Sequence, residues 1–228
     1  MSVSSQRVLV LSGRGRYADP WHDHAATSHE VAVIVSDLVS EVEVRSSFPS
    51  AFADVDDFSL VIVNCGRGRS DPAYDGDDEA WAAHHEFLHR YAMAGGPILG
   101  LHQSANTFAD SPYWAELLGA RWVPGVSSHP PFGDSVFEAV ESHPITTGLD
   151  VVLARDERYC DVERAYGSTI LLAHEESGVR HPAVWLRDDG RRRSVYDALG
   201  HDIESYRSPS RRLLLRHEVM WLLGEPVG

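Results

Sequence analysis

Gly95-Gly96-Pro97-Ile98-Leu99-Gly100-Leu101-His102-Gln103-Ser104-Ala105-Asn106 decides how the rest of the chain is read. A short apolar run, bracketed by glycines, passes straight into a polar turn and then into helix-forming residues. In open α/β sheets, active-site side chains sit just past the carboxyl ends of strands. A nucleophile elbow has this strand–turn–helix shape, with Ser or Cys on the sharp turn. Here His102 occupies that place.

Working outward, Leu60-Val61-Ile62-Val63-Asn64-Cys65-Gly66 is a second apolar strand that ends in a glycine turn, and Arg7–Gly13 is a first buried strand. Glu41–Ser46 alternates acidic residues with valine, as a half-buried strand does. Val31, Ile34, Val35 and Leu38 recur at helical spacing over about 24–38, and a second helix is expected over about 77–93. Alternating strand and helix implies a parallel sheet covered on both faces. Downstream, Tyr113–Leu118 reads as a short helix and Arg121–Val126 as extended. Short strands follow at Ser135–Glu141, Val151–Ala154, Thr169–Ala173, Ala183–Arg187 and Ser194–Ala198. Ser208-Pro209 opens a final helix and Gly224 stops it. No linker interrupts the chain. The expectation is one α/β domain over 1–228, with a mainly parallel central sheet and the later strands added to it.

The composition excludes several functions. A net charge of −14 opposes nucleic-acid phosphates. All 20 basic residues are arginine, so neither Schiff-base lysine chemistry nor a Walker A loop is available. No apolar run reaches the ~18–20 residues that span a membrane, and no signal-peptide pattern opens the chain. Cys65 and Cys160 are the two cysteines, too few for a disulfide framework. The expected compartment is the cytoplasm. The oligomeric state, a homo-oligomer included, stays open.

His85-Glu86-Phe87-Leu88-His89 fits the HExxH pattern of zinc proteases. At ~100° per residue, however, Trp81, His84, Leu88 and Tyr91 form the core-facing stripe, and His85, Glu86 and His89 fall to the side of it or nearer solvent. A surface histidine pair is the stronger reading. A Ser or Cys hydrolase would need Ser104 or Cys65 in GxSxG or GxCxG, and neither is. Gly66-Arg67-Gly68-Arg69 lacks GxGxxG and reads as a loop.

The preferred constellation is dispersed. His24, His102, His201 and the pair Asp156-Glu157 follow strands, and His129 lies in Ser127-Ser128-His129-Pro130. With mostly parallel strands, several of these converge on one rim. Imidazoles with a carboxylate bind zinc or a similar divalent ion, or share acid–base work near neutral pH. Trp21, with Tyr17, Tyr74, Trp114 and Tyr206, offers loop aromatics for stacking on a sugar ring.

Gly100-Leu101-His102, Trp114-Ala115-Glu116-Leu117-Leu118-Gly119 and His129-Pro130 resemble the ThuA-like (trehalose utilisation) family. So do His143-Pro144-Ile145-Thr146-Thr147-Gly148-Leu149, Asp156-Glu157-Arg158-Tyr159, Pro182-Ala183-Val184-Trp185 and Ala198-Leu199-Gly200-His201-Asp202. The resemblance spans nearly the whole chain. It implies a flavodoxin-like, three-layer α/β/α fold similar to class I glutamine amidotransferases. It also implies a role in the metabolism of trehalose or other disaccharides and their keto derivatives. The elbow cysteine of the amidotransferases is absent, so amidotransferase activity is not carried over. The family's histidines and Asp-Glu pair map onto His102, His129, Asp156, Glu157 and His201. Members more commonly carry Ser directly after the elbow His, whereas here Gln103 precedes Ser104.

The expected function is action on a sugar or keto-sugar by hydrolysis, isomerisation or elimination, with no nucleic-acid or membrane partner. His102, Glu157 and Asp156 are the catalytic candidates. His24, Trp21, Ser104 and Tyr159 are the substrate-binding candidates. His102, His129 and His201 are the candidate ligands of a divalent metal such as zinc. The alternative is a non-catalytic sugar-binding or regulatory protein, which shares the cleft and needs only stacking and hydrogen bonds.

Overall fold

The structure is a computed structural model that describes residues 4–228. Strand β1 (Ser4–Ser12) leads through a loop to helix α1 (His24–Val35), whose N-cap Asp23 accepts from Ala26 N–H. Strands β2 (Val39–Ser46) and β3 (Leu60–Asn64) follow, then a single turn α2 (Pro72–Asp75) and helix α3 (Asp78–Met93). Strand β4 (Ile98–Leu101) runs into the elbow, and α4 (Trp114–Leu118) lies beyond it.

The next part of the chain is strand-rich. Strand β5 (Ala120–Arg121) pairs with β8 (Glu163–Arg164) in a small separate ribbon. Strands β6 (Gly133–Ala139), β7 (Val151–Asp156), β9 (Thr169–Glu176), β10 (Val179–Asp188) and β11 (Arg193–Asp197) join the main sheet, and helix α5 (Pro209–Leu223) ends the fold.

The nine-stranded sheet has the order β2-β1-β3-β4-β11-β10-β9-β6-β7. Its first five strands are parallel. That is the flavodoxin-like 2-1-3-4-5 order, with β11 in the fifth place. The other four pair antiparallel and extend the sheet. One core lies under α1 and α5, where Val31, Ile34, Leu214, Leu215 and Leu222 meet Val8, Ile62 and Leu99. The other lies under α3 and α4, where Trp81, Leu88, Trp114 and Leu118 meet Leu9, Val61 and Tyr196. The architecture is therefore the expected three-layer α/β/α. No helix of the described residues is long and apolar enough to cross a membrane.

Two local expectations are corrected. Arg121–Val126 is not extended. After Arg121 the chain turns at Pro124-Gly125, where Gly125 takes φ +80° and Ser127 N–H returns to Val123 O. On α3 the buried histidine is His85, not His84. The loop after β1 and the loop between β4 and α4 pack over α3 and give His85 Nε2 two partners, Tyr17 Oη at 3.2 Å and Asp110 Oδ1 at 3.3 Å.

Beneath the sheet, Arg211 pairs with Asp197 at 2.8 Å, and both are sealed from solvent beside Glu218. One guanidinium cannot neutralise two buried carboxylates. Burial and the neighbouring Asp197 push the Glu218 carboxyl well above the usual range, so Glu218 holds the proton. Removing the cation would strand Asp197. Arg211→Met is expected to cost about 3–5 kcal/mol in chemical denaturation, while Glu218→Gln, which keeps a neutral group, costs much less.

Candidate metal centre

The loops at the carboxyl ends of β1, β4, β7 and β11 build the site. His102 sits on the elbow with φ +44°, a left-handed conformation rare for a residue with a side chain. The fold holds it there: Tyr196 Oη donates to His102 O at 3.0 Å. His102 Nδ1 lies 2.7 Å from Ala198 O. A carbonyl only accepts, so Nδ1 carries a proton and Nε2 is the nitrogen turned into the site.

His22, from the loop after β1, is set in the same way. Its Nδ1 lies 2.6 Å from Asp19 Oδ1. Burial opposes the Asp19 charge, but the His22 and His24 imidazoles outweigh it and hold Asp19 well below the usual carboxylate range. The ionised carboxylate accepts the hydrogen bond from Nδ1–H and turns Nε2 into the site. Burial lowers His22 from its ordinary value despite Asp19. The two Nε2 atoms face each other at 3.2 Å.

Glu157 and His201 complete the group. Glu157 Oε2 lies 3.5 Å from His102 Nε2 and 3.4 Å from His201 Nδ1. Both Glu157 Oε2 and His201 Nδ1 are buried without a hydrogen-bond partner. Burial would push the Glu157 carboxyl up, yet the imidazoles of His102 and His201 pull it well below its ordinary value. Burial opposes the His201 charge in turn, and Glu157 overrides it and raises His201. One ligand atom from each of His22, His102, Glu157 and His201 lies within 4.8 Å of all the others. Three nitrogens and a carboxylate suit zinc or a similar divalent ion. The Nδ1–H bonds to a carbonyl and a carboxylate are the outer partners that orient metal-bound histidines.

A cavity of about 550 Å³ opens over this group, lined by Trp21, His22, Gln103, Asn106, Trp122, His129, Glu157 and His201. Its size falls in the range of small-molecule sites. Trp21 stands on its rim, 77% exposed. His129 is also on the rim, with Nδ1 3.4 Å from Glu157 Oε1, and lies outside the four-ligand group. Tyr159 is buried beneath, where its hydroxyl lies 2.9 Å from His102 Nε2 and accepts from Gln103 Nε2 at 2.9 Å. Burial raises its pKa well above the ordinary value, so the phenol stays protonated and donates.

The remaining candidates lie elsewhere. His24 is buried at the start of α1, with Nε2 3.6 Å from Asp19 Oδ2, behind His22 and away from the cavity wall. Ser104 is fully buried and packs over Gly100, where an added Cβ would meet Ser104 Oγ at 2.6 Å. Asp156 is fully buried and bonded to backbone amides. Cys65 is sealed in the core and its thiol is pushed up to about 12 by burial, which suits a structural thiol. His22 is the member of the group that the sequence reading passes over. Its only signal is Asp19, three residues earlier in the loop that also carries Trp21 and His24.

Two predictions follow from this geometry. Gly66 lies against the Asp19–His24 pair, and a Cβ there would come within 2.5 Å of Asp19 Oδ2 and 3.0 Å of His24 Nε2. Gly66→Ala should therefore displace Asp19 and weaken ion binding about 10–100-fold, the usual cost of losing an outer partner, as read by calorimetric titration. In the HExxH segment His85 faces inward to Tyr17 and Asp110, while His89 stacks on Tyr113 at 4.1 Å. His89→Ala should leave ion binding unchanged in the same titration.

The fold and site can be set beside known proteins. The family model described as trehalose utilisation (ThuA) matches residues 7–222. No curated protein matches the chain in sequence. A protein of Parabacteroides merdae described as ThuA-like superposes with TM-score 0.75 at 16% identity, covering 99% of this chain and 92% of that one. A ThuA-like protein of Bacteroides uniformis gives TM-score 0.73 at 15% identity over 99% and 94%. A glutamine amidotransferase of Thermotoga maritima shares the fold at TM-score 0.59 and 12% identity, over 96% and 98%. With the match running from the first strand to the last helix, the chain belongs to the ThuA (trehalose utilisation) family.

Proposed function

We propose that the protein is an enzyme acting on a sugar or keto-sugar at a divalent-metal centre made by His22, His102, His201 and Glu157. The observation that carries this reading is the facing pair of imidazole nitrogens, 3.2 Å apart, with both Nδ1 protons pinned to acceptors. Family membership supports the carbohydrate role. A bound divalent ion would polarise a carbonyl or hydroxyl oxygen of the sugar.

The chain's own groups supply the rest. Trp21 and Trp122 offer aromatic faces to the apolar side of a sugar ring. Gln103 and Asn106 offer amides to its hydroxyls. Glu157, kept ionised, can take a proton from carbon next to a carbonyl, the step that isomerisation and elimination share. Tyr159, kept protonated beside His102, can donate to oxygen. The buried free thiols Cys65 and Cys160 suit a reducing, cytoplasmic setting.

Metal analysis of the purified protein should find about one divalent ion per chain, with loss in His102→Ala and Glu157→Ala. Incubation with disaccharides and their keto forms should yield product with the parent chain and none with either variant. Unchanged metal content and turnover in both variants would overturn the proposal. Binding of sugar with no product over long incubation would favour a non-catalytic receptor. Because imidazoles must be neutral to bind metal and Glu157 raises His201, ion affinity should climb with pH through and above the ordinary imidazole range. A flat pH profile would remove His201 from the ligand set.

A further inference from the structure

Glu157 and His201 reach the site from strands that are not neighbours. Between β7 and β11 lie β6, β9 and β10, so no ladder hydrogen bond sets one loop against the other. Asp156 does. Its Oδ1 accepts the backbone N–H of Glu157 at 2.9 Å and that of His201 at 3.1 Å. Its Oδ2 accepts Gly200 N–H at 2.7 Å and the Ser205 hydroxyl at 2.5 Å. Four donors fill a carboxylate's four lone-pair sites. The side chain is wholly buried, and no edge of it lines the cavity.

We propose that Asp156 is a positioning residue, a clasp on the backbone amides of Glu157, Gly200 and His201 that holds Glu157 against His201, and that it does not touch substrate. Its effect on ion affinity rests on the metal-centre reading above; its effect on the Glu157–His201 distance does not. The segment it grips is braced from the other side as well. Asp197 Oδ1 accepts Leu199 N–H at 2.8 Å, and Arg211 donates to Leu199 O at 3.3 Å. Ala198 O, one residue earlier, accepts the His102 Nδ1 proton. The clasp therefore sets His201 and helps to fix the carbonyl that orients His102.

An Asn side chain keeps the volume; with its NH2 at the Oδ1 position it meets the two clasped N–H groups, and with its NH2 at Oδ2 it meets Gly200 N–H and leaves a neutral oxygen in place of a charged one on the clasp. Ser205→Ala removes one donor from Oδ2 and leaves the clasp on Oδ1 intact. The test compares these two variants with the parent chain. Folding is followed by denaturation, Co2+ alone is titrated, and the Asp156→Asn variant is crystallised. Ion affinity should fall about tenfold or more in Asp156→Asn and stay within about twofold of the parent in Ser205→Ala. The Glu157 Oε2 to His201 Nδ1 distance should open beyond the present 3.4 Å in the Asp156→Asn crystal.

Parent-like affinity in Asp156→Asn, an equal loss in Ser205→Ala, or an unchanged distance overturns the proposal. If the parent chain takes up no ion, the metal-centre reading fails, and the crystal distance alone decides the role of Asp156. If Asp156→Asn does not fold, Asp156→Glu, which moves the carboxylate by about one methylene, carries the same comparison with the same readings.

Discussion

Two imidazoles with their Nε2 atoms turned toward each other form the constraint around which this molecule is arranged. His102 and His22 each give the Nδ1 proton to a fixed acceptor, Ala198 O and Asp19. That leaves Nε2 facing Nε2 across 3.2 Å. The carboxylate of Glu157 and the imidazole of His201, both with buried orphan atoms, close around the same point. The arrangement could hold a metal ion, and His102 and His22 each have an outer partner that sets the ring's orientation.

The sheet makes this arrangement possible. In the 2-1-3-4-5 order, the carboxyl ends of the parallel strands lie along one rim. The loops after β1, β4 and β11 bring His22, His102 and His201 there. Glu157 comes from further away, at the end of an antiparallel strand on the far edge of the extension. The Asp156 carboxylate bridges that gap by accepting the backbone N–H groups of Glu157, Gly200 and His201. The elbow shared with the amidotransferase-like fold thus persists as a strained turn at φ +44°. It carries His102, a candidate ligand, where the amidotransferase elbow carries its nucleophile.

Much of this was legible in the residues alone. The apolar strands ending at Gly66 and Leu101, and the alternation with helices, specify a parallel sheet before any coordinates exist. His102, Glu157 and His201 stand out because each directly follows a strand. His22 does not, since it shares a loop with His24 and only the path of that loop decides which ring points inward. His85 was misread for a related reason: its burial depends on Tyr17 and Asp110, which a helical wheel does not see. Asp156 could be named but its task could not, because its partners are main-chain amides and leave no mark in the sequence.

The most direct test of the account is a crystal of the parent chain grown with Co2+ or Zn2+ and measured at the metal's absorption edge. The account predicts one anomalous peak between His22 Nε2, His102 Nε2, His201 and Glu157, at bond lengths of about 2.0–2.2 Å. An empty site at saturating metal, or a peak at the His85–His89 segment instead, would contradict it.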